Sequence, residues 1–244
     1  MDLDDIPTGR VLSRREALAF LGATGAMLFF GCSESAGSSE PADSSSSCVV
    51  KPELTEGPYY VDEELNRSDI RSDPGTGAVS AGALLSLTFN VSSAATNACS
   101  PLAGAVVDVW HCDALGRYSD VSDQGFSTVG QKFLRGYQVT DAGGVARFTT
   151  IYPGWYQGRA VHVHFKVRSS GSSDASYEFT SQLFFDDGLT DQVHAGDPYA
   201  AKGQRDLRNS GDGIYRQGGS QLVLNVTPVD AGYAATFDIA LEGV

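Results

Sequence analysis

The stretch that decides the fold is Tyr152-Pro-Gly-Trp-Tyr-Gln-Gly-Arg-Ala-Val-His-Val-His-Phe165. Two of the four histidines of the chain, His162 and His164, alternate here with apolar residues. This alternation predicts a β-strand over Val161–Val167. Residues two apart on a strand point to the same face, so both imidazoles project together and the apolar neighbours face the other way. A His-x-His pair on a strand is one way of directing two nitrogens at one metal ion.

Short alternating segments continue from residue 83 to the end of the chain. Strands of this length and spacing predict an all-β fold, namely a single β-sandwich. Residues 186–215 predict a long irregular stretch with at most one short helix. The predicted strands are Leu85–Val91, Val106–Trp110, Gly136–Thr140, Val145–Thr150, Val161–Val167, Glu178–Phe185, Gln221–Pro228 and Ala234–Ala240.

Residues 1–31 resemble an export signal. Ser13-Arg14-Arg15 precedes an apolar run, Ala17–Gly31, which is short for a membrane span and typical of a signal-peptide core. The arginine pair resembles a twin-arginine signal. Cys32 follows at a position similar to a lipoprotein cleavage site, so we expect either a lipid on Cys32 or plain cleavage and release. The predicted location is exported across the cytoplasmic membrane, lipid-anchored or free in the periplasm or outside the cell.

Composition sets the domain organisation. Residues 32–47 are rich in serine and predict a disordered tether, which leaves 48–244 as the folded domain. The 244 residues are 41% hydrophobic, which suffices for one sizeable core. A net charge of −13 without a basic patch argues against nucleic acid as a partner.

Three cysteines fall in the predicted domain, and an exported domain is expected to form a disulfide. Cys99 precedes the predicted strand Val106–Trp110 and Cys112 follows it. The strand separates its ends, while a disulfide needs Cα atoms within about 7 Å, so a 99–112 bridge is the least favoured. Cys48 is therefore the expected shared partner. Cys48–Cys99, Cys48–Cys112 and three buried thiols all remain open.

Two tyrosines complete a candidate metal-binding set with the two histidines. Tyr118 follows the predicted strand that ends at Trp110, and Tyr156 precedes His162 by six residues. A phenolate is a hard anionic oxygen donor, which suits Fe(III) better than Zn(II) or Cu(I). Each tyrosine on its own is more readily explained by packing, because the chain has ten of them.

Six motifs occur in order over roughly residues 53–240. They are Gly57-Pro58-Tyr59-Tyr60, Pro101–His111, Gly116-Arg-Tyr118-Ser119, Thr140–Phe148, Arg159-Ala-Val-His-Val-His-Phe165 and Thr180-Ser-Gln182-Leu-Phe-Phe185. As an ordered set they resemble the intradiol ring-cleavage dioxygenases, which include catechol 1,2-dioxygenases and protocatechuate 3,4-dioxygenases.

The resemblance implies a prealbumin-like β-sandwich that holds one non-haem Fe(III). Tyr118, Tyr156, His162 and His164 would be the protein ligands, with water or hydroxide at a fifth position. The substrates would be a catechol-type diol and O2, and the product a cis,cis-muconate-type diacid. The chain would then be an oxidoreductase of aromatic catabolism.

The resemblance also implies roles around the metal. Tyr156 would be displaced by the substrate and take up one of its protons. Arg159 would stabilise negative charge near the ring, and Gln182 would lie close to the site. Candidates for the pocket wall, with core packing as the alternative, are Tyr59, Tyr60 and Trp155.

Two departures from the family pattern are visible. Only five residues separate Tyr156 from His162, where the family has a longer insertion, so we expect a more open pocket. The chain also has no room for the N-terminal helical domain of catechol dioxygenases, so their dimer contacts cannot be transferred and the oligomeric state stays open. We expect His111 to be a structural hydrogen-bonding residue and His194 to be exposed.

Two other functions fit parts of the pattern. A non-catalytic prealbumin-like surface module that binds ligands would need the sandwich motifs but not the tyrosines. A copper or zinc site would use His162 and His164 alone.

Overall fold

The structure of the chain, a computed structural model, describes residues 48–94, 99–123, 125–170 and 176–244. The predicted export signal, the tether and Cys32 lie outside the described residues. Within the described ranges, no helix is both long enough and apolar enough to cross a membrane.

Strands make up most of the regular structure, which confirms the predicted all-β class. In the described part of the chain there are eleven strands and one α-helix, α1 (Asp187–His194), besides short 3₁₀ turns. The strands are β1 (Leu84–Ser93), β2 (Ser100–Pro101), β3 (Val106–Trp110), β4 (Ser122–Asp123), β5 (Phe126–Ser127), β6 (Arg135–Val139), β7 (Val145–Ile151), β8 (His162–Arg168), β9 (Glu178–Phe184), β10 (Val226–Val229) and β11 (Gly232–Leu241).

Two sheets enclose one apolar core. The first sheet runs β10-β11-β1-β2, with β7 also paired to β1, and the second runs β6-β3-β8-β9. β1 and β11 are parallel, whereas the strands of the second sheet are antiparallel. Phe89 on β1 packs against Phe165 on β8 with ring centroids 5.3 Å apart, so the apolar faces of the two sheets meet.

β1 shows how the sequence pattern sets this arrangement. Leu85, Leu87, Phe89 and Val91 alternate with more polar residues and are all fully buried. Burial of each large apolar side chain stabilises the fold by about 1.5–3 kcal/mol. A one-residue slip would turn these four side chains away from the core, so the pattern fixes the register of β1.

β8 is buried on both faces. Val163, Phe165 and Val167 point into the core between the sheets, as the alternation predicts. His162 and His164 therefore point to the outer face of the second sheet. The candidate site lies on this outer face, outside the apolar core.

A segment that precedes the first strand covers this outer face. We call residues 52–66 the lead-in segment. Leu54 N donates to the Thr180 carbonyl on β9 at 3.1 Å, and the guanidinium of Arg135 donates to the carbonyls of Tyr59 and Val61, each at 3.3 Å from Nη1. The lead-in segment is thus hydrogen-bonded to both edges of the sheet that carries the histidines.

One of the two open cysteine pairings is present in the structure. Cys48 is bonded to Cys99 with Cα atoms 5.3 Å apart. Cys112 is a buried free thiol, and burial raises its pKa to about 12. The disulfide ties the start of the folded part to the connection after β1.

Two sequence-based expectations are wrong. The predicted strand Gln221–Pro228 is divided into a 3₁₀ turn, Gly219–Leu222, and β10, which begins at Val226. Leu222 and Leu224 are both buried, and this spacing of two imitates a strand. His194 is half-buried rather than exposed, because its ring stacks on Tyr199 with centroids 4.9 Å apart.

Candidate metal centre and active site

β8 brings the two imidazoles together. His162 Nε2 and His164 Nε2 lie 2.9 Å apart, and both side chains are buried. His162 Nδ1 donates to the Ala160 carbonyl at 2.7 Å, which assigns the proton to Nδ1 and leaves a lone pair on Nε2. Burial lowers the pKa of both imidazoles well below the usual range, so both are neutral and able to ligate a metal.

Two turns bring two phenols to the same point. Tyr118 follows β3, and its hydroxyl oxygen lies 3.4 Å from His162 Nε2. Tyr156 precedes β8, and its hydroxyl oxygen lies 3.3 Å from the same nitrogen. Tyr118 is fully buried, whereas Tyr156 is partly exposed. The four residues predicted from the motifs therefore converge on one small volume.

Glycines allow the two tyrosine turns to pack backbone against backbone. Gly116 has φ +79°, and a Cβ there would lie 2.0 Å from the Trp155 carbonyl oxygen. A Cβ at Gly154 would lie 2.4 Å from the Ala114 carbonyl oxygen. A side chain at either position would force the two turns apart, so these glycines set the distance between the phenols.

The separations measured from His162 Nε2 are compatible with a single metal ion. A first-row ion lies about 2.0–2.2 Å from nitrogen and oxygen ligands, so donors at 90–110° are roughly 2.8–3.6 Å apart. The observed separations of 2.9, 3.3 and 3.4 Å fall in this range. Among the described residues, no group of three or more His, Cys, Asp and Glu side chains is arranged to hold a metal ion.

Arg159 and Gln182 form one hydrogen-bonded unit beside the histidines. Arg159 Nη2 donates to Gln182 Oε1 at 2.5 Å, and Arg159 Nε donates to Asp212 Oδ2 at 3.0 Å. Gln182 lies opposite His164 in the register of β8 and β9 and donates to the carbonyl of Thr55 at 2.9 Å. The positive charge of Arg159 also contributes to the lowered pKa of both imidazoles, after burial. A fixed guanidinium at this point can stabilise negative charge on a bound molecule.

The three aromatic residues predicted for the pocket wall take different places. Tyr59 stacks on Tyr118 with centroids 4.5 Å apart, and its hydroxyl donates to Asp123 at 2.6 Å. Tyr60 instead packs against Trp110, which itself stacks on His164.

Trp155 is held by the segment that follows α1. It is partly exposed and donates from Nε1 to the Gly203 carbonyl at 3.2 Å. The Lys202 ammonium lies over its ring, 4.8 Å from the centroid. Because Trp155 directly precedes Tyr156, these contacts also fix the turn of that tyrosine.

His111 is the structural hydrogen-bonding residue that the sequence predicts. It is buried, with Nδ1 2.8 Å from the Cys112 carbonyl and Nε2 2.6 Å from Thr150 Oγ1. Both ring nitrogens are hydrogen-bonded to these partners, so His111 does not join the four side chains as a metal ligand. Burial lowers the pKa of His111 to about 4.

Asp212 also belongs to this site, and no sequence pattern identifies it. It is completely buried and lies in the irregular stretch that follows α1. The segment Asn209-Ser-Gly-Asp212-Gly213 reads as an ordinary turn, and only its spatial position beside Arg159 distinguishes it. An aspartate between glycines gives no local signal for a long-range ion pair.

Two imidazoles and two phenols thus meet on the outer face of one sheet. This makes the all-β protein a candidate metalloprotein. Comparison with known proteins gives the family. A family model described as "Dioxygenase" matches residues 55–243 of the chain. The chain belongs to the intradiol ring-cleavage dioxygenase family, which confirms the resemblance of the motifs.

Individual relatives agree. The chain is 35% identical over 107 residues to a chlorocatechol 1,2-dioxygenase of Pseudomonas sp. (strain P51), covering 36% of the chain and 39% of that relative. It is 32% identical over 153 residues to the protocatechuate 3,4-dioxygenase beta chain of Burkholderia cepacia, covering 59% of each. The matches thus span less than two thirds of these relatives.

A solved structure matches a larger share of the chain than these two relatives do. An intradiol ring-cleavage dioxygenase from Tetranychus urticae superposes with a TM-score of 0.68 at 29% identity, covering 81% of this chain and 96% of that one. The two chains therefore share a fold over most of their length.

Proposed function

We propose that the chain cleaves catechol-type aromatic diols with O2 between the two hydroxyl-bearing carbons, at a mononuclear non-haem Fe(III) ion. The main supporting observation is that two phenol oxygens and two imidazole nitrogens converge. The hydroxyl oxygens of Tyr118 and Tyr156 and Nε2 of His164 all lie within 3.4 Å of His162 Nε2. Hard anionic oxygens beside neutral nitrogens are a donor set that suits a hard, highly charged ion.

Tyr118, Tyr156, His162 and His164 would hold the ion. When bound, ferric iron would bind both catechol oxygens as a template and draw electron density from the ring, so that a ring carbon can react with O2. The two phenolates would offset two of its three charges and favour the ferric state.

Tyr156 is proposed as the base. Its hydroxyl oxygen belongs to the converging set, yet its side chain is partly exposed on a turn, whereas Tyr118 is fully buried. A partly exposed side chain can move at lower cost than one packed on all sides. Tyr156 Oη would therefore take up a hydroxyl proton of the entering diol, while Tyr118 stays in place.

Arg159 is proposed to stabilise negative charge on the ring and on the oxygens added to it. Its guanidinium stays protonated throughout and can stack on an aromatic face. Asp212 and Gln182 hold it from two sides, so it does not need to reorganise during the reaction. Tyr59, which stacks on Tyr118, is the aromatic residue best placed to wall the pocket.

O2 is the only co-substrate that the overall reaction needs to balance its atoms and electrons. The bond between the two hydroxyl-bearing carbons breaks, and each of these carbons becomes a carboxyl group with one atom of O2 added. The diol loses four electrons and O2 gains them. The product is a cis,cis-muconate-type diacid.

Isotope labelling tests this reaction class. The full chain, loaded with iron, is incubated with catechol under ¹⁸O2, and the product is examined by mass spectrometry. We expect cis,cis-muconate with two ¹⁸O atoms from the wild type and from the control Tyr177→Phe, and none from Tyr118→Phe. A semialdehyde product would mean cleavage outside the two hydroxyl-bearing carbons, and full activity of Tyr118→Phe would favour a site with two histidines alone. Catechol binding without any product would favour the surface module.

We further propose that the pocket admits bulky catechols. The five-residue connection between Tyr156 and His162 and the partial exposure of Trp155 and Tyr156 support an open pocket. Similar kcat/KM values for catechol and for ring-substituted catechols are the expected result. Strict selectivity for one small catechol would contradict the proposal.

The proposed location is outside the cytoplasmic membrane, with a lipid on Cys32. The Cys48–Cys99 disulfide supports export, because disulfides persist in oxidising compartments. Radiolabelled palmitate should enter the full chain expressed in a bacterium and should not enter Cys32→Ala. Equal labelling of both, or of neither, would contradict the lipid anchor.

A further inference from the structure

We propose that Asp212 is a positioning residue for the reaction, which sets the guanidinium of Arg159 and, through the backbone of Ala160, the ring of His162. The inference rests on the proposed function, because it deepens the role given there to Arg159. The contacts made by the buried carboxylate of Asp212 support this role.

Asp212 is itself held rigidly. Its side chain is 0% exposed, and it lies between two 3₁₀ turns, Asn209–Gly211 and Tyr215–Gln217. Oδ1 accepts from the backbone N–H groups of Ile214 at 2.7 Å and Tyr215 at 3.1 Å. These two bonds fix the orientation of the carboxylate and direct Oδ2 towards the start of β8.

Oδ2 accepts two further hydrogen bonds. One comes from Arg159 Nε at 3.0 Å and the other from the backbone N–H of Ala160 at 2.8 Å. A buried carboxylate is costly unless it is paired and hydrogen-bonded, and these four donors satisfy that need. Nε of Arg159 is thus bound to Asp212 and Nη2 to Gln182, so the guanidinium is held at two points.

The backbone of Ala160 extends the link to a proposed metal ligand. Its N–H is bound to Asp212, and its carbonyl accepts from His162 Nδ1 at 2.7 Å. A partner on the outer nitrogen of a ligating histidine fixes the tautomer and the ring orientation. Asp212 therefore supports two parts of the site through one oxygen atom.

A second ion pair, which joins β3 and β8, gives a matched contrast. Asp108 accepts from Arg168 Nε at 2.8 Å and is also largely buried. Arg168, however, lies at the far end of β8 from His162. Asp108→Asn removes a similar buried charge from a similar arginine partner without touching the proposed machinery.

The test compares Asp212→Asn with Asp108→Asn in the iron-loaded full chain. Bound iron, the visible absorption band and Tm are measured alongside kcat and KM for catechol. An asparagine presents an NH2 group where two N–H donors converge, so Arg159 should lose its position. We expect Asp212→Asn to keep its iron but to lose kcat about 10- to 100-fold with KM changed less than about threefold, and Asp108→Asn to keep both values.

A second pair of variants keeps the test valid if Asp212→Asn fails to fold. In Arg159→Gln the guanidinium is already absent, so Asp212→Asn can act only through Ala160 and His162, and kcat should fall by less than about tenfold further. The double variant leaves no unpaired buried charge and should fold. A further tenfold or larger loss in the double variant would overturn the role through Arg159.

The outcomes separate the two proposals. A wild-type chain that binds iron but cleaves no catechol overturns the proposed function and this role with it. An active wild type with Asp212→Asn at the level of Asp108→Asn overturns the role of Asp212 alone. A loss confined to Tm would likewise mean that Asp212 is only structural.

Discussion

Gly116 holds the turn of Tyr118 against the turn of Tyr156, and Gly116→Ala tests whether this contact builds the site. At φ +79° an alanine costs about 1–2 kcal/mol of strain. Its Cβ would lie 2.0 Å from the Trp155 carbonyl oxygen. Because contacts of this kind relax to about 3.5 Å, the two turns must separate by roughly 1.5 Å. That shift would carry Tyr156 Oη out of the range of separations that one ion can bridge.

Gly104→Ala is the matched control, since Gly104 also has φ +79° and a Cβ there meets nothing within 4 Å. Urea unfolding of the iron-free protein should show a loss of about 1–2 kcal/mol for Gly104→Ala and more for Gly116→Ala. Titration with iron, followed by the visible band, should show an affinity at least about tenfold weaker for Gly116→Ala alone. An iron affinity for Gly116→Ala equal to that of Gly104→Ala would refute the idea that the close contact of the turns places the phenols.

Further predictions concern the ligands, the disulfide and the response to pH. Tyr118→Phe should lose iron, while Tyr156→Phe should retain part of it and lose at least about 100-fold in kcat, as measured by metal analysis and muconate absorbance. Equal behaviour of the two variants would contradict their different roles. The Cys48–Cys99 bond closes a separation of 51 residues, so Cys48→Ser should lower the free energy of unfolding by roughly 4 kcal/mol, and Cys99→Ser by the same amount. A much smaller loss in urea would speak against this pairing. The pKa of His111 falls from 6.5 to about 4 on folding, so below pH 6.5 the unfolded chain binds a proton that the folded chain does not. The free energy of unfolding should therefore drop by up to about 1.4 kcal/mol per unit as the pH falls from 6.5 to 4, and His111→Gln should show a shallower slope.

Local patterns were sufficient for the strands that have one apolar face. β3 was predicted with the bounds that the structure shows, and β1, β6, β7, β8 and β11 within two residues at either end. In β1, β7 and β8 the alternate apolar positions are those buried in the core between the sheets, which is a local property of each strand. The segment after α1 has no such periodicity, and its turns depend on contacts with distant residues.

The candidate site divides in the same way. His162 and His164 were paired by strand geometry, and the phenols were added by chemistry and by ordered motifs. Asp212 was missed because its partner, Arg159, is 53 residues away and no periodicity links them. Tyr59 and Tyr60 are neighbours in sequence, yet Tyr59 lies in a turn and stacks on Tyr118, whereas Tyr60 packs on Trp110.

Metal content and visible absorption of the full chain, with and without catechol under air, test the central claim most directly. The account predicts one ferric ion per chain, a phenolate-to-iron absorption band that shifts when catechol is added, and a rising muconate signal. A colourless, iron-free protein that cannot be reconstituted with iron would contradict it, and would mean that Tyr118 and Tyr156 are packing residues.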